Sequence, residues 1–253
     1  MVTLTMQPRF SHIKTKFLDD GIEIYVPTNP DIPALTLTSN LSKFDKNSRL
    51  EIVLYGEKCT MYDCGLAGQE WLEKFFDLKG FKFLYFPSEV GSRSVSTYKP
   101  KYPWVSTAGD LTDMVGCANF APFLLGSESS LKDLNDRIKG DPLKMINFRP
   151  NIIIEGTKPW DEDDWEYVFI NNVCFKRIKD CTRCPMTTLD PQKGKLREDG
   201  EPLKTLQTFR TKPEEYGNKT MFGLNVLTKR SGKITVGDAV YVIRTSDYKK
   251  GFY

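Results

Sequence analysis

Alternation of apolar and polar residues dominates the opening part of the chain. It begins at Met1 to Thr5, so the sequence starts in or beside a strand, and it returns in His12 to Phe17 and Ile22 to Val26. The Asp19-Asp20-Gly21 step between those two runs is a turn signal, so together they predict a hairpin with His12 as a surface strand residue. Pro27, Pro30 and Pro33 interrupt the pattern, Leu35 and Leu37 resume it, and Leu50, Ile52 and Leu54 predict a further strand that turns at Gly56-Glu57. The period then changes. From Leu66 to Leu78 the apolar residues Leu72, Phe75 and Phe76 fall at helical spacing, with charges between them and Gly80 beyond the end. Phe81, Phe83 and Tyr85 alternate again as a strand, and the aromatics of this stretch read as core.

Ser88 to Ser106 is rich in Ser, Lys, Pro and Tyr without periodicity, which reads as a long loop or the seam between two lobes. After it, Phe123 to Leu125 is a short apolar strand. Ser127 then opens a helix whose Leu131, Leu134 and Ile138 share one face before Gly140. Such a strand-to-helix step can aim free amides at an anion, although an ordinary cap is the commoner use. Ile152 to Ile154, Val168 to Ile170 and Val173 to Ile178 read as strands, the last two joined at Asn171-Asn172, and Pro202 opens a short helix bearing Leu203, Leu206 and Phe209. Met221 to Leu227 and Lys233 to Ile243 close the chain as strands. In the latter, Ile234 and Val236 share a face, the chain turns at Gly237-Asp238 and restarts at Val240, which suits the closing strands of a small barrel. No internal repeat is present.

Composition narrows the function classes. The 253 residues allow one large domain or two smaller ones, and 36 basic against 33 acidic residues are well mixed, so nothing argues for nucleic acid. No stretch approaches the ~20 apolar residues of a membrane helix, and MVTLTMQPRF lacks the marks of a signal peptide, so the expectation is a soluble intracellular chain whose six cysteines are free thiols. The single histidine, His12, rules out HExxH zinc sites and leaves one candidate for any nucleophile dyad; GxSxG, P-loop and GxGxxG patterns are absent.

The chemistry concentrates in Asp180 to Gly194, DCTRCPMTTLDPQKG. Cys181 and Cys184 are close enough to share a metal or form a redox disulfide, and Arg183 between them would favour a charged thiolate. Zinc lacks a second ligand pair, and a thioredoxin-like site would need a helix where Pro185 to Leu189 reads as extended chain entering a turn. Two readings stay open: one soft thiolate ligand for a metal held mostly by something else, or two buried structural cysteines. Upstream, Arg149 in Asn147-Phe148-Arg149-Pro150-Asn151 stands before a proline and an apolar strand, placed either to pair with a carboxylate or to bind a phosphate or pterin edge. Trp160 to Glu166, WDEDDWE, reads as a solvated acidic turn without EF-hand spacing.

With FRPN, CTRCPMTTLDPQKG and IxVGDxV in this order, the chain resembles the mitochondrial amidoxime-reducing components of the MOSC superfamily, from about Gln7-Pro8-Arg9 to its end. The resemblance implies a β-rich α+β fold. An N-terminal β-rich, barrel-like lobe would cover 1–87, a linker 88–106 and a MOSC β-barrel with flanking helices 107–245, with a molybdenum-pyranopterin cofactor between the lobes. It implies Cys184 as the protein ligand to molybdenum and Arg149, Asn151, Thr182 and Arg183 as cofactor contacts. The family's cofactor loop of small polar residues is Asn119-Phe120-Ala121 here, so fewer hydrogen bonds are expected from it. The family's opening region, with a membrane anchor and a Lys and an Arg that reach the cofactor, precedes the point where this sequence starts.

The implied activity is reduction of N-hydroxylated substrates, amidoximes and N-oxides, with electrons from cytochrome b5 and NADH-cytochrome b5 reductase, at the outer mitochondrial membrane facing the cytosol. The alternatives are a molybdenum-cofactor carrier or sulfur-transfer module, and a non-catalytic remnant that has lost the cofactor. Pyridoxal phosphate is associated with the superfamily only through separate sulfurase domains absent from these residues.

Overall fold

The computed structural model describes residues 6–87, 93–94 and 114–248. The expected linker at 88–106 and the strand at Met1 to Thr5 lie largely outside them. The described chain is β-rich with few helices, as expected. Its contacts divide it into two units, Met1–Arg93 with Asp190–Lys195, and Ser94–Leu189 with Leu196–Tyr253. No helix among the described residues is long and apolar enough to cross a membrane.

In the first unit the expected hairpin forms from β1 (Lys14–Leu18) and β2 (Gly21–Tyr25), and β3 (Leu35–Thr38) adds to β2. A second sheet pairs β4 (Arg49–Leu54) with β5 (Glu57–Asp63) and β5 with β6 (Leu84–Tyr85). Helix α1 (Leu66–Phe76) buries Trp71, Leu72, Phe75 and Phe76 against Ile24 and Leu37. It ends at Asp77 in the left-handed conformation, and Arg9 caps its free carbonyls, donating to Phe75 O at 2.6 Å while its guanidinium lies over the Phe75 ring.

Two expectations change here. His12 is not on a strand. It ends a 3-10 turn, Pro8–His12, begun by the proline, and its Nε2 is buried against the backbone of Gly194. The strand expected from Phe81, Phe83 and Tyr85 shrinks to two residues, because only Leu84 and Tyr85 find partners on β5.

The second unit is built on a six-stranded half-barrel sheet in the order β8-β7-β11-β10-β9-β12. Here β7 is Phe123–Ser127, β8 Ile152–Ile154, β9 Trp165–Ile170, β10 Val173–Thr182, β11 Met221–Arg230 and β12 Val240–Arg244. Only β8 with β7 is parallel. Leu125, Ile152, Trp165, Val168, Phe175 and Leu224 lead its core. Helix α2 (Glu128–Arg137) starts at Ser127 as read from sequence, the Ser127 hydroxyl accepting the Ser130 N–H, and its Leu131 and Leu134 pack on Met145, Phe148, Phe222 and Leu206 of the short helix α3 (Leu203–Gln207).

Two further readings are corrected in this unit. Only the Val240–Arg244 half of the expected closing strands forms. The Ile234–Val236 half is a loop closed by a turn in which Asp238 accepts the Thr235 N–H and returns its own N–H to Thr235 O, leaving Val236 fully exposed. The acidic run is not a solvated turn. Asp163 takes a bidentate pair from Arg210 at 2.6 and 2.7 Å, Asp161 binds Arg244 and the Trp165 indole, and Asp164 accepts both groups of Ser246. Glu162 is wholly buried, and Ser130 donates to its Oε2 at 2.8 Å.

Candidate functional site

The site forms where β10 leaves the sheet. Opposite its last residues β11 carries a bulge, so that Asp180 faces Leu224 while Thr182 already faces Met221. Gly223 makes this bulge. Its φ is +73°, and a Cβ there would lie 2.3 Å from the Leu125 carbonyl oxygen, so neither the conformation nor the space admits a side chain.

The Phe222 carbonyl beside the bulge accepts the Nε–H of Arg183 at 2.9 Å and a second N–H of the same guanidinium. A third donates to the Phe148 carbonyl at 3.1 Å, and the Arg183 main-chain N–H donates to Thr220 O at 2.8 Å. The guanidinium lies against the stacked rings of Phe148 and Phe222, whose centroids are 3.8 Å apart. Burial pushes the Arg183 pKa down, opposed by the neighbouring thiols of Cys181 and Cys184 and reinforced by the charge of Arg149. Arg183 is thus a brace between β11 and the Phe148 loop, with part of its fork left over.

One residue further on, Cys184 is exposed with a free thiol. The chain after it is a one-turn 3-10 helix, Pro185–Thr188, and not the extended segment read from sequence. Proline at the first position and the Cys184 carbonyl, which accepts both the N–H and the hydroxyl of Thr187 near 3 Å, close that turn. Asn147 holds the turn from outside, its amide donating to Leu189 O at 2.9 Å. Cys181 is half-buried on β10, its thiol 3.9 Å from Thr182 O.

Arg149 faces the same turn. Its φ is +56°, a left-handed conformation costly for any residue but glycine. The side chain is exposed and touches the Met186 sulfur at 2.8 Å, and no carboxylate pairs with it among the described residues. Of the two uses read from sequence for this arginine, the ion pair is therefore not made. Asn151 ties the same loop to β7, exchanging bonds with the Leu124 main chain at 2.9 and 2.8 Å. Thr182 is half-buried at the end of β10.

The structure brings Cys184, Arg183 and Arg149 to one turn and links Asn151 to it through the Phe148 loop. Of the remaining three residues, Phe120 and Ala121 are buried with Val115, Ile178 and Leu227, while Asn119 is exposed. Lys179 packs on that cluster. Its Nζ lies 4.8 Å from the Phe120 ring and 5.1 Å from that of Tyr216 and donates to Asp180 O, and burial pulls its pKa down to about 8. Sequence reading assigned no role to Asn147, Met186, Gly223 or Lys179. Only the Gly223 and Asn147 positions carried a local signal, a glycine within a strand and an amide before FRPN.

No group of three or more His, Cys, Asp or Glu side chains that could hold a metal ion exists among the described residues. One exposed thiol, on a turn met by an arginine that pairs with no carboxylate among the described residues, suits a metal that brings most of its own ligands in an anionic cofactor.

A MOSC domain profile matches residues 113–241. The chain is 33% identical over 247 residues to mitochondrial amidoxime-reducing component 1 of Mus musculus, which covers 96% of this chain and 68% of the relative. It is 32% identical over 253 residues to component 1 of Homo sapiens (96% and 69%), and 30% identical over 245 residues to mitochondrial amidoxime reducing component 2 of Bos taurus (95% and 69%). The chain belongs to the MOSC-domain family, among the mitochondrial amidoxime-reducing components.

Proposed function

We propose that this protein is a molybdenum-cofactor-dependent reductase of N-hydroxylated substrates, amidoximes and N-oxides, that takes its electrons from cytochrome b5 and NADH-cytochrome b5 reductase. The single observation that carries the reading is the exposed Cys184 thiol at the head of the turn whose Met186 meets Arg149, a strained, exposed cation that no carboxylate neutralises among the described residues. A buried structural cysteine would not need such a neighbour. The names of the relatives supply the reaction class.

In this reading Cys184 gives the thiolate ligand and Arg149 binds the anionic end of the cofactor. Asn151 fixes the Arg149 loop against β7, and Thr182 borders the ligand. Arg183 serves chiefly as the brace that sets the direction of Cys184, with its remaining N–H groups turned to the cofactor. Asn119 offers its amide, while Phe120 and Ala121 contribute main chain. The bound cofactor supplies the two-electron reduction of the N–O bond, the oxygen leaving as water. The same reading puts the protein at the mitochondrial outer membrane, facing the cytosol.

The test is direct. Molybdenum-loaded protein given a chemical reductant converts benzamidoxime to benzamidine, and loaded protein that leaves benzamidoxime unchanged contradicts the reading.

A further inference from the structure

Arg149 rests on Met186, its guanidinium donating from Nη1 to the thioether sulfur at 2.8 Å. Both ends of this contact stand on held backbone. On one side, the Pro185–Thr188 turn is tied down by the buried Thr187 and Thr188, whose hydroxyls donate to Cys184 O at 2.9 Å and to Pro185 O at 2.7 Å. On the other, the Arg149 main-chain N–H donates to both Met145 O and Ile146 O, and the φ of +56° fixes the direction in which the side chain leaves. The fold thus holds the two groups facing each other. Met61, Met145 and Met221 are buried, whereas Met186 is only half-buried, so a small oxidant in solvent reaches it.

A thioether is a weak acceptor, so it orients the guanidinium and leaves its charge available to a stronger one. Oxidation reverses this. When the sulfur lone pair attacks the terminal oxygen of a hydroperoxide, an S–O bond forms as the O–O bond breaks. The sulfur loses two electrons, and the other oxygen takes the proton of the transferred one and leaves as water or an alcohol. The sulfoxide oxygen is then a polar acceptor on the atom that Arg149 already meets, and a hydrogen bond to it from a guanidinium is charge-assisted. We propose that Met186 is a site of reversible oxidation by hydroperoxides, and that its sulfoxide holds Arg149 and, resting on the role proposed above for that arginine, draws it away from the anionic end of the cofactor.

The test uses cofactor-free protein whose thiols are masked with methyl methanethiosulfonate, treated with hydrogen peroxide and then unmasked with dithiothreitol. Peptide mass spectrometry should find one added oxygen on Met186 and none on Met61, Met145 or Met221. Phenylglyoxal, which reacts with accessible guanidinium groups, should modify Arg149 at least threefold more slowly than before oxidation. After loading and gel filtration the oxidised protein should hold at most a third of the molybdenum of an untreated sample. Methionine sulfoxide reductase with dithiothreitol should restore both quantities. In Met186→Leu, which has no sulfur to oxidise, neither should move on treatment, and Met186→Gln, whose carboxamide oxygen imitates the sulfoxide, should show both losses with no oxidant. Met186 that gains no oxygen, Arg149 that reacts at the same rate before and after, or Met186→Leu that loses molybdenum as the parent does, overturns the proposal. Failure of the cofactor reading is a separate result, because protein that takes up no molybdenum still reports the oxidation by mass and the state of Arg149 by phenylglyoxal.

Discussion

Arg183 donates two N–H groups to one acceptor, the main-chain carbonyl of Phe222, and so directs most of its fork into the protein. Among the described residues, Arg149 on the neighbouring loop has only the sulfur of Met186. Two arginines that look equivalent in sequence therefore divide the work: one braces the turn that bears Cys184, and the other presents charge.

The division predicts opposite signatures for the same conservative change. Arg183→Lys loses the planar fork that serves two carbonyls, so thermal stability should fall, by roughly 1 to 3 kcal/mol. Arg149→Lys should leave the thermal midpoint of cofactor-free protein unchanged and lower molybdenum retained after gel filtration. Equal losses of stability in the two variants would show that both are braces.

Replacing Arg149 by glycine separates strain from function. The left-handed conformation at φ +56° costs an ordinary residue roughly 1 to 2 kcal/mol, which glycine does not incur. Cofactor-free Arg149→Gly should therefore be at least as stable to urea as the parent while retaining little molybdenum. A clear loss of stability would mean that the side chain holds the fold.

Gly223→Ala tests the bulge. The new methyl would press on the Leu125 carbonyl at 2.3 Å in a conformation that alanine avoids, so the strand must shift and the Phe222 carbonyl with it. We expect a loss of roughly 2 to 4 kcal/mol by denaturant titration, with molybdenum retention falling as Arg183 loses its acceptor. A variant with unchanged stability and metal content would remove the bulge from the account.

Glu162 gives the protein a pH dependence. Burial raises its pKa from 4.5 to about 7, against the opposing hydrogen bond from Ser130. The folded state thus holds a proton that the unfolded chain releases near pH 4.5, and stability should fall as pH rises from about 4.5 to 7, by about 3 kcal/mol at most. Glu162→Gln keeps an oxygen for Ser130 and cannot ionise, so its stability should be flat across that interval and exceed the parent's at pH 8. Parallel pH profiles for the two proteins would contradict this.

Much of the fold was legible because local patterns and final packing agree. The Asp19-Asp20-Gly21 hairpin, the α1 stripe of Leu72, Phe75 and Phe76, and the Ser127 cap each form as the sequence predicts. Strand β5 escaped notice because its buried positions are Cys59 and Met61, weak strand signals. The acidic run misled because its cations, Arg210 and Arg244, lie far along the chain. For the same reason CTRC identified the thiols but not the inward aim of Arg183, which is set by a bulge around Gly223 some forty residues away.

Molybdenum per chain in Cys184→Ser, beside the parent and Cys181→Ser, tests the central claim most directly. The parent and Cys181→Ser should each carry about one atom per chain when the cofactor is supplied, and Cys184→Ser close to none, since a hydroxyl is a poor substitute for a soft thiolate. Molybdenum retained in Cys184→Ser but lost from Cys181→Ser would contradict the assignment, and a parent that takes up none would contradict the proposed function itself.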